Sequence, residues 1–185
     1  MMAASGTSSG PDFLYRLLAA REERAVVQKN ILSSAQSGCL VQMMPNIPGY
    51  PKRIENDTNA VAIAEKSFKC KIAMKEAVRT CLVNSAGIAL LLLFPSLDAA
   101  DAKKIGIEVE NTPGWGRALD IDIMTQTGIL SRKDLGLPAR GCVMCGREAK
   151  ICARERKHNI EELRDAVRRL LACTVSDQAP SSSES

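Results

Sequence analysis

The chain has 185 residues, 45% hydrophobic and 25% charged, with a formal net charge of +4, values that suit one globular domain. One Trp, two Tyr and three Phe leave little surface for stacking nucleic-acid bases. The most apolar run, Gly87 to Phe94, is far short of the roughly 20 residues of a membrane helix, so neither a nucleic-acid nor a membrane partner is expected. Seven cysteines behind a start with no signal-peptide pattern point to a reduced, cytoplasmic setting, where thiols bind metal or pack rather than pair.

Residues 1–10 and 175–185 are small and polar and are expected to be disordered tails around one folded domain over 11–174. Pro11 and Asp12 open a helix that runs to about Ser34. At 100° per residue Leu14, Leu18, Ala25 and Leu32 share a face, with Arg21 and Gln28 in the same stripe and Arg24 at its edge. Polar groups turned inward need either a carboxylate partner or a bound phosphate. Cys39 to Met44 reads as a strand, followed by the rigid loop Pro45 to Arg53, which carries three prolines and ends in two cations. Asp57 to Lys75 reads as a helix capped by Asp57, and Ala86 to Phe94 as a buried strand. Ile105, Ile107 and Val109 alternate like a strand. Ala118 to Met124 alternates more clearly, so Asp120 and Asp122 share one face and Leu119, Ile121 and Ile123 the other. A closing helix capped by Asn159, with Glu162 three residues on, puts Ile160, Leu163, Val167, Leu170 and Leu171 on its core face and Glu161, Arg164, Arg168 and Arg169 toward solvent. The expected architecture is α+β: a single domain with a mixed sheet and packed helices.

Two constellations carry chemistry. The Asp120 and Asp122 carboxylates repel each other unless a cation sits between them, and paired carboxylates with phosphate oxygens are a usual ligand set for Mg²⁺. The apolar-Asp-apolar-Asp-apolar pattern resembles the metal-binding strand of the nucleotidyltransferase superfamily. An acidic strand face salt-bridged to Arg117 would leave the same pattern. The second constellation is Cys142, Cys145, Cys152 and His158, the only histidine. Three thiolates and an imidazole are the ligand types of a closed, structural Zn²⁺ site. Buried or reactive cysteines beside a basic helix are the alternative.

Ordered motifs then give a resemblance. Leu17 to Ala25 (LLAAREERA) with Gln28, Asn46-Ile47-Pro48-Gly49 followed by Lys52, and Gly116 to Ile123 (GRALDIDI) lead the series. It continues with Ser131-Arg132, Asp134 to Pro138 (DLGLP), Arg140-Gly141-Cys142, Cys145, Cys152-Ala153-Arg154, and Arg156 with His158. Together they resemble the citrate lyase holo-acyl-carrier-protein synthases, the apo-citrate lyase phosphoribosyl-dephospho-CoA transferases. Ala118, Ile123 and Tyr50 depart from the family pattern without removing a reactive group. The resemblance implies that 2′-(5″-triphosphoribosyl)-3′-dephospho-CoA is attacked at its α-phosphorus by a serine of the apo acyl carrier protein, the γ subunit of citrate lyase, releasing pyrophosphate. On that expectation Asp120 and Asp122 bind Mg²⁺, and Arg117 joins them in catalysis. Arg21, Arg24 and Lys52 clamp phosphates, and Gln28 and Asn46 orient substrate. A basic surface including Arg154, Arg156 and Lys157 would dock an acidic carrier. Transfer to another carrier, such as that of malonate decarboxylase, and a non-enzymatic zinc-stabilised binding module are the competing readings.

Overall fold

The structure is a computed structural model that describes residues 11–176. The expected tails lie outside the described residues, apart from residues 175 and 176, which end the last helix. Five strands form one sheet in the order β2-β3-β1-β4-β5. They are β1 (Cys39–Pro45), β2 (Val78–Asn84), β3 (Gly87–Phe94), β4 (Leu119–Thr125) and β5 (Gly128–Leu130). The α+β single domain is as expected. The sheet, expected to be mixed, is antiparallel at every described pairing, because β2-β3 and β4-β5 are hairpins and β1 slots between them against the direction of both.

The pleat sends Val41 and Met43, Leu90 and Leu92, and Leu119, Ile121 and Ile123 into the main core. There they meet α2 (Asp57–Lys69), α3 (Ala99–Glu110) and α5 (Ile160–Ser176). The opposite face carries Leu40, Leu91, Leu93 and Met124. It is covered only in part by α1 (Pro11–Ser33), through Val27 and Ile31. One well-filled layer and one half-open layer result, and Asp120 and Asp122 lie on the half-open side by their alternation with Ile121.

Four local expectations are corrected. Ile105, Ile107 and Val109 lie in α3, not in a strand. Asp98 caps that helix by accepting from the backbone N–H of Ala100 (2.8 Å) and Asp101 (3.1 Å), a start signal that outweighs a short alternation. The α2 helix stops at Lys69 with Asn56 at its cap position in a left-handed conformation. Asp57 instead accepts from Arg53 and from the Ile54 N–H. The amphipathic strand β2 was not anticipated; its alternating half-burial is weak because it is the sheet edge. In α1 the buried positions are Leu17, Ala20 and Ile31, whereas Leu14 and Leu18 are more than half exposed. The buried stripe is rotated by about one residue from the predicted one.

Two glycines are required by close approach. A Cβ at Gly106 would sit 3.0 Å from the Ile121 side chain, so glycine lets α3 lie close on β4. A Cβ at Gly116 would meet the Val109 carbonyl oxygen at 2.4 Å, which fixes the turn Trp115–Ala118 against the end of α3 just before β4 begins.

Candidate active site and metal centre

The acidic strand is gripped from both flanks. On its inner flank β4 pairs with β1, Gln42 opposite Asp122 and Met44 opposite Asp120. Gln42, nearly fully buried, donates through Nε2 to Asp122 Oδ2 (3.2 Å) and accepts from Gln28 Nε2 (2.6 Å). Thus Gln28 of α1 reaches the acid through a relay. On the outer flank β5 covers only Ile123 to Thr125, which leaves Ile121 without a strand partner on that side. Two buried side chains of α3 replace the strand: Glu110 accepts from the Ile121 N–H (2.8 Å), and Lys103 Nζ donates to the Ile121 carbonyl (3.0 Å). Lys103 and Glu110 are seven residues apart, so they share one face of α3. Burying both charges is tolerable because each is hydrogen-bonded and Glu110 is also paired with Arg132.

Asp120 receives Arg140 Nη1 at 3.3 Å. Loss of solvent, together with the charges of Asp122 and Glu110, pushes its pKa up to about 6 against the pull of Arg140 and Lys103. This is the behaviour of crowded carboxylates short of positive charge. Arg117 does not salt-bridge the acids. It donates to the Gly141 carbonyl (2.9 Å), while Arg140 Nη2 donates back to the Arg117 carbonyl (2.8 Å), so the two bonds clasp the Arg140–Gly141 segment to Arg117.

Near Asp122 and the 45–53 loop, cations crowd one another without carboxylate partners. Arg21, Arg24, Lys52, Arg117 and Arg164 make no ion pair within 4.0 Å among the described residues. Burial and the neighbouring Arg21 lower the Arg24 pKa, with Asp122 opposing. Burial, Arg21 and Arg164 lower that of Lys52. The same holds for Arg117, through burial, Arg140 and Arg132. Arg164, expected in solvent, is buried. Its Nη1 donates to the carbonyls of Pro48 (2.7 Å) and Pro51 (2.9 Å), and Lys52 Nζ donates to Ile47 O (2.7 Å). Proline has no N–H to donate, so the carbonyls of this loop are free to cradle the cations. Asn46 is exposed at the same loop. Crowded cations without carboxylate partners, beside two carboxylates, are the groups whose charges a polyanion together with a metal ion would balance.

The Cys/His constellation converges. The candidate ligand atoms of Cys142, Cys145, Cys152 and His158 all lie within 4.8 Å of one another. Gly146, in a left-handed conformation, closes the knuckle through its N–H to Cys142 O (3.1 Å). The helix α4 (Ala149–Arg154) brings Cys152, and left-handed Arg156 turns the chain back to His158. Cys145 Sγ stands 3.5 Å from Cys152 Sγ and 3.3 Å from His158 Nε2. Tetrahedral zinc would set these at about 3.8 Å and about 3.5 Å, from usual bond lengths. The donor set therefore fits a zinc ion. The Arg147 N–H and His158 bring the Cys145 thiol down to about 6, and burial with the neighbouring sulfurs lifts Cys152 to about 11.

The structure thus brings Asp120, Asp122, Gln28 and Arg24 together on one face, with Arg21 beside Arg24, Lys52 beside Arg21, and Arg117 held against the Arg140–Gly141 segment. It sets the Cys/His cluster apart, joined through the Arg117–Gly141 bond. Gln42, Arg140, Glu110, Lys103 and Arg164 were not singled out from sequence for these roles. A lone glutamine inside an apolar strand was the available signal for Gln42, and the Arg140-Gly141-Cys142 motif was that for Arg140.

Comparison with known proteins adds the family. The family model described as apo-citrate lyase phosphoribosyl-dephospho-CoA transferase matches residues 13–174. The probable apo-citrate lyase phosphoribosyl-dephospho-CoA transferase of Streptococcus pyogenes is 34% identical over 160 residues, 84% of this chain and 83% of that protein. The transferase of that name from Escherichia coli is 32% identical over 167 residues, 86% and 90% of the two chains. Protein CitXG of Haemophilus influenzae is 34% identical over 163 residues, which are 85% of this chain and 34% of that longer protein.

Proposed function

Because the chain belongs to the apo-citrate lyase phosphoribosyl-dephospho-CoA transferase family, we propose that it moves the prosthetic group from 2′-(5″-triphosphoribosyl)-3′-dephospho-CoA onto a serine of the citrate lyase acyl carrier protein by nucleotidyl-type transfer. The serine oxygen forms a bond to the α-phosphorus, the bond to the β-phosphate oxygen breaks, and pyrophosphate leaves while the serine proton passes to a base. The observation that carries this reading is the Asp120 and Asp122 pair on a half-open sheet face, bordered by cations that lack carboxylate partners.

Asp120 and Asp122 would hold Mg²⁺ against the phosphates, their carboxylates offset along the strand by about 7 Å of backbone. When bound, the ion would neutralise charge developing on the leaving pyrophosphate. Gln42 and Gln28 keep Asp122 oriented. Arg21, Arg24, Lys52 and Arg117 would clamp the triphosphate, and the exposed amide of Asn46 would align it, so most of the rate would come from positioning and preset charge. The Cys142, Cys145, Cys152 and His158 set would hold a structural Zn²⁺, since four protein ligands leave no open position for substrate. Exposed Arg154, Arg156 and Lys157 border the same end of the molecule and suit an acidic carrier.

The test is intact-mass spectrometry of the apo carrier protein after incubation with enzyme, triphosphoribosyl donor and Mg²⁺. Wild type should add the mass of the phosphoribosyl-dephospho-CoA group. Asp122→Asn should lower the rate by at least 100-fold with an unchanged circular dichroism spectrum. Full turnover by that variant would remove the acidic strand from the mechanism.

A further inference from the structure

Beside the acidic strand lies a cavity of about 670 Å³, walled by the 45–52 loop, the Arg140–Val143 segment, α4 and the start of α5. Its size falls within the range of roughly 300–1,000 Å³ that enclose a small-molecule ligand. Its chemistry is divided. Ile47, Pro48, Val143, Leu163 and Val167 give an apolar wall, and Lys52, Arg117, Arg140 and Arg156 give the charge, with no carboxylate among the lining residues. A purely apolar occupant would strand those cations away from water, and a simple anion would leave the apolar wall wet. The occupant that satisfies both is an anionic molecule with an extended uncharged body.

The cavity also has a direction. Arg140 is part of its wall and at the same time bonds Asp120, and Arg117, clasped to it, lines the same end. A phosphate entering there is led toward the two aspartates. Its wall also contains Cys142, Cys152 and His158, so the segment able to hold a metal ion also shapes the cavity.

We infer that this cavity seats the dephospho-CoA portion of the donor, its phosphates toward Arg140 and its uncharged parts along the wall of Ile47, Leu163 and Val167, leaving the triphosphate to Arg117 and the acidic strand. The inference rests on the transfer reading above and assigns the half of the donor that does not react. Binding in this cavity lends energy to chemistry at a centre outside it, the usual way remote contacts serve a transfer reaction.

The experiment is isothermal titration of the purified full-length protein with dephospho-CoA without Mg²⁺, and separately with inorganic triphosphate in its presence. Two substitutions fill the cavity from exposed positions of its rim, Ala153→Trp and Ile160→Trp. Wild type should bind dephospho-CoA at one site. Each variant should weaken that binding at least tenfold while leaving triphosphate affinity and the unfolding midpoint as in wild type, and if one variant fails to fold the other decides. Wild-type affinity for dephospho-CoA in a folded variant, or no binding by wild type, would overturn the assignment. The two readings separate cleanly. Dephospho-CoA binding that both tryptophans block, in an enzyme that never modifies the carrier, sinks the transfer reading and keeps the cavity. Carrier modification at the normal rate by both variants does the reverse.

Discussion

At the scale of single residues, Asp120 is where electrostatics is most exposed to experiment. In the folded protein partial loss of solvent and the charges of Asp122 and Glu110 push its carboxyl up to about 6 from the ordinary value of 3.8, so folding favours the protonated form. Below the ordinary value both states are protonated and nothing is lost. Between the two values the ionised group begins to oppose folding, and above about 6 the whole penalty is present. Asp120→Asn removes it. In metal-free protein the substitution should therefore raise the unfolding midpoint at pH 8 and change it little at pH 4, measured by thermal denaturation with chelator present. A residue that weakens the metal-free protein yet stands beside a second aspartate on the half-open face fits a carboxylate placed for a cation. The pair itself was legible in sequence, because a period of two needs only neighbouring letters. Its supporters were not, since Gln42 and Arg140 come from distant parts of the chain and nothing local in either says which acid it meets.

At the scale of elements, α3 shows how a wrong local reading hides a functional one. Read as a strand, Ile105 to Val109 offers only alternating apolar residues. Folded as a helix started by Asp98, the same region aligns Lys103 and Glu110 on the backbone of Ile121, between the two aspartates. Glu110→Ala should cost about 3–5 kcal/mol, the usual loss when one partner of a buried charged pair is removed, read as a lower denaturant midpoint. The Cys/His segment is the converse case. Ligand types and spacing were visible in sequence, and the left-handed turn at Arg156 that returns His158 was not. The folded protein should carry one zinc by native mass spectrometry. Cys145→Ser should lower that occupancy, with the released metal detected by a chromogenic chelator.

For the whole molecule, the packing divides labour between the two faces of the sheet. The face against α2, α3 and α5 is a filled core with Phe68, Phe94 and Leu171 fully buried. The other face is left half open. Among the described residues no helix is long and apolar enough to cross a membrane. Much of this layering was readable, since β1, β3, β4 and α5 carry strong patterns. The edge strand β2 was not, because half-burial blunts its alternation. Beneath the sheet, α2 is tied to β2 by Glu65, whose pKa is held down to about 2 by the Arg79 and Lys69 hydrogen bonds against the effect of burial. This tie is fully present above the ordinary carboxylate value and is lost as pH falls toward about 2. Glu65→Gln should lower the unfolding midpoint at pH 7, and the gap from wild type should close as the pH approaches about 2.

The two α3 side chains that occupy the Ile121 N–H and carbonyl have a consequence for solubility as well as for the aspartates. A strand flank with bare amides is an invitation to a second molecule, which can add its own strand and start an aggregate. Here a lysine and a glutamate already fill those amide positions, so the most chemically loaded strand of the protein is also closed to intermolecular pairing at its midpoint.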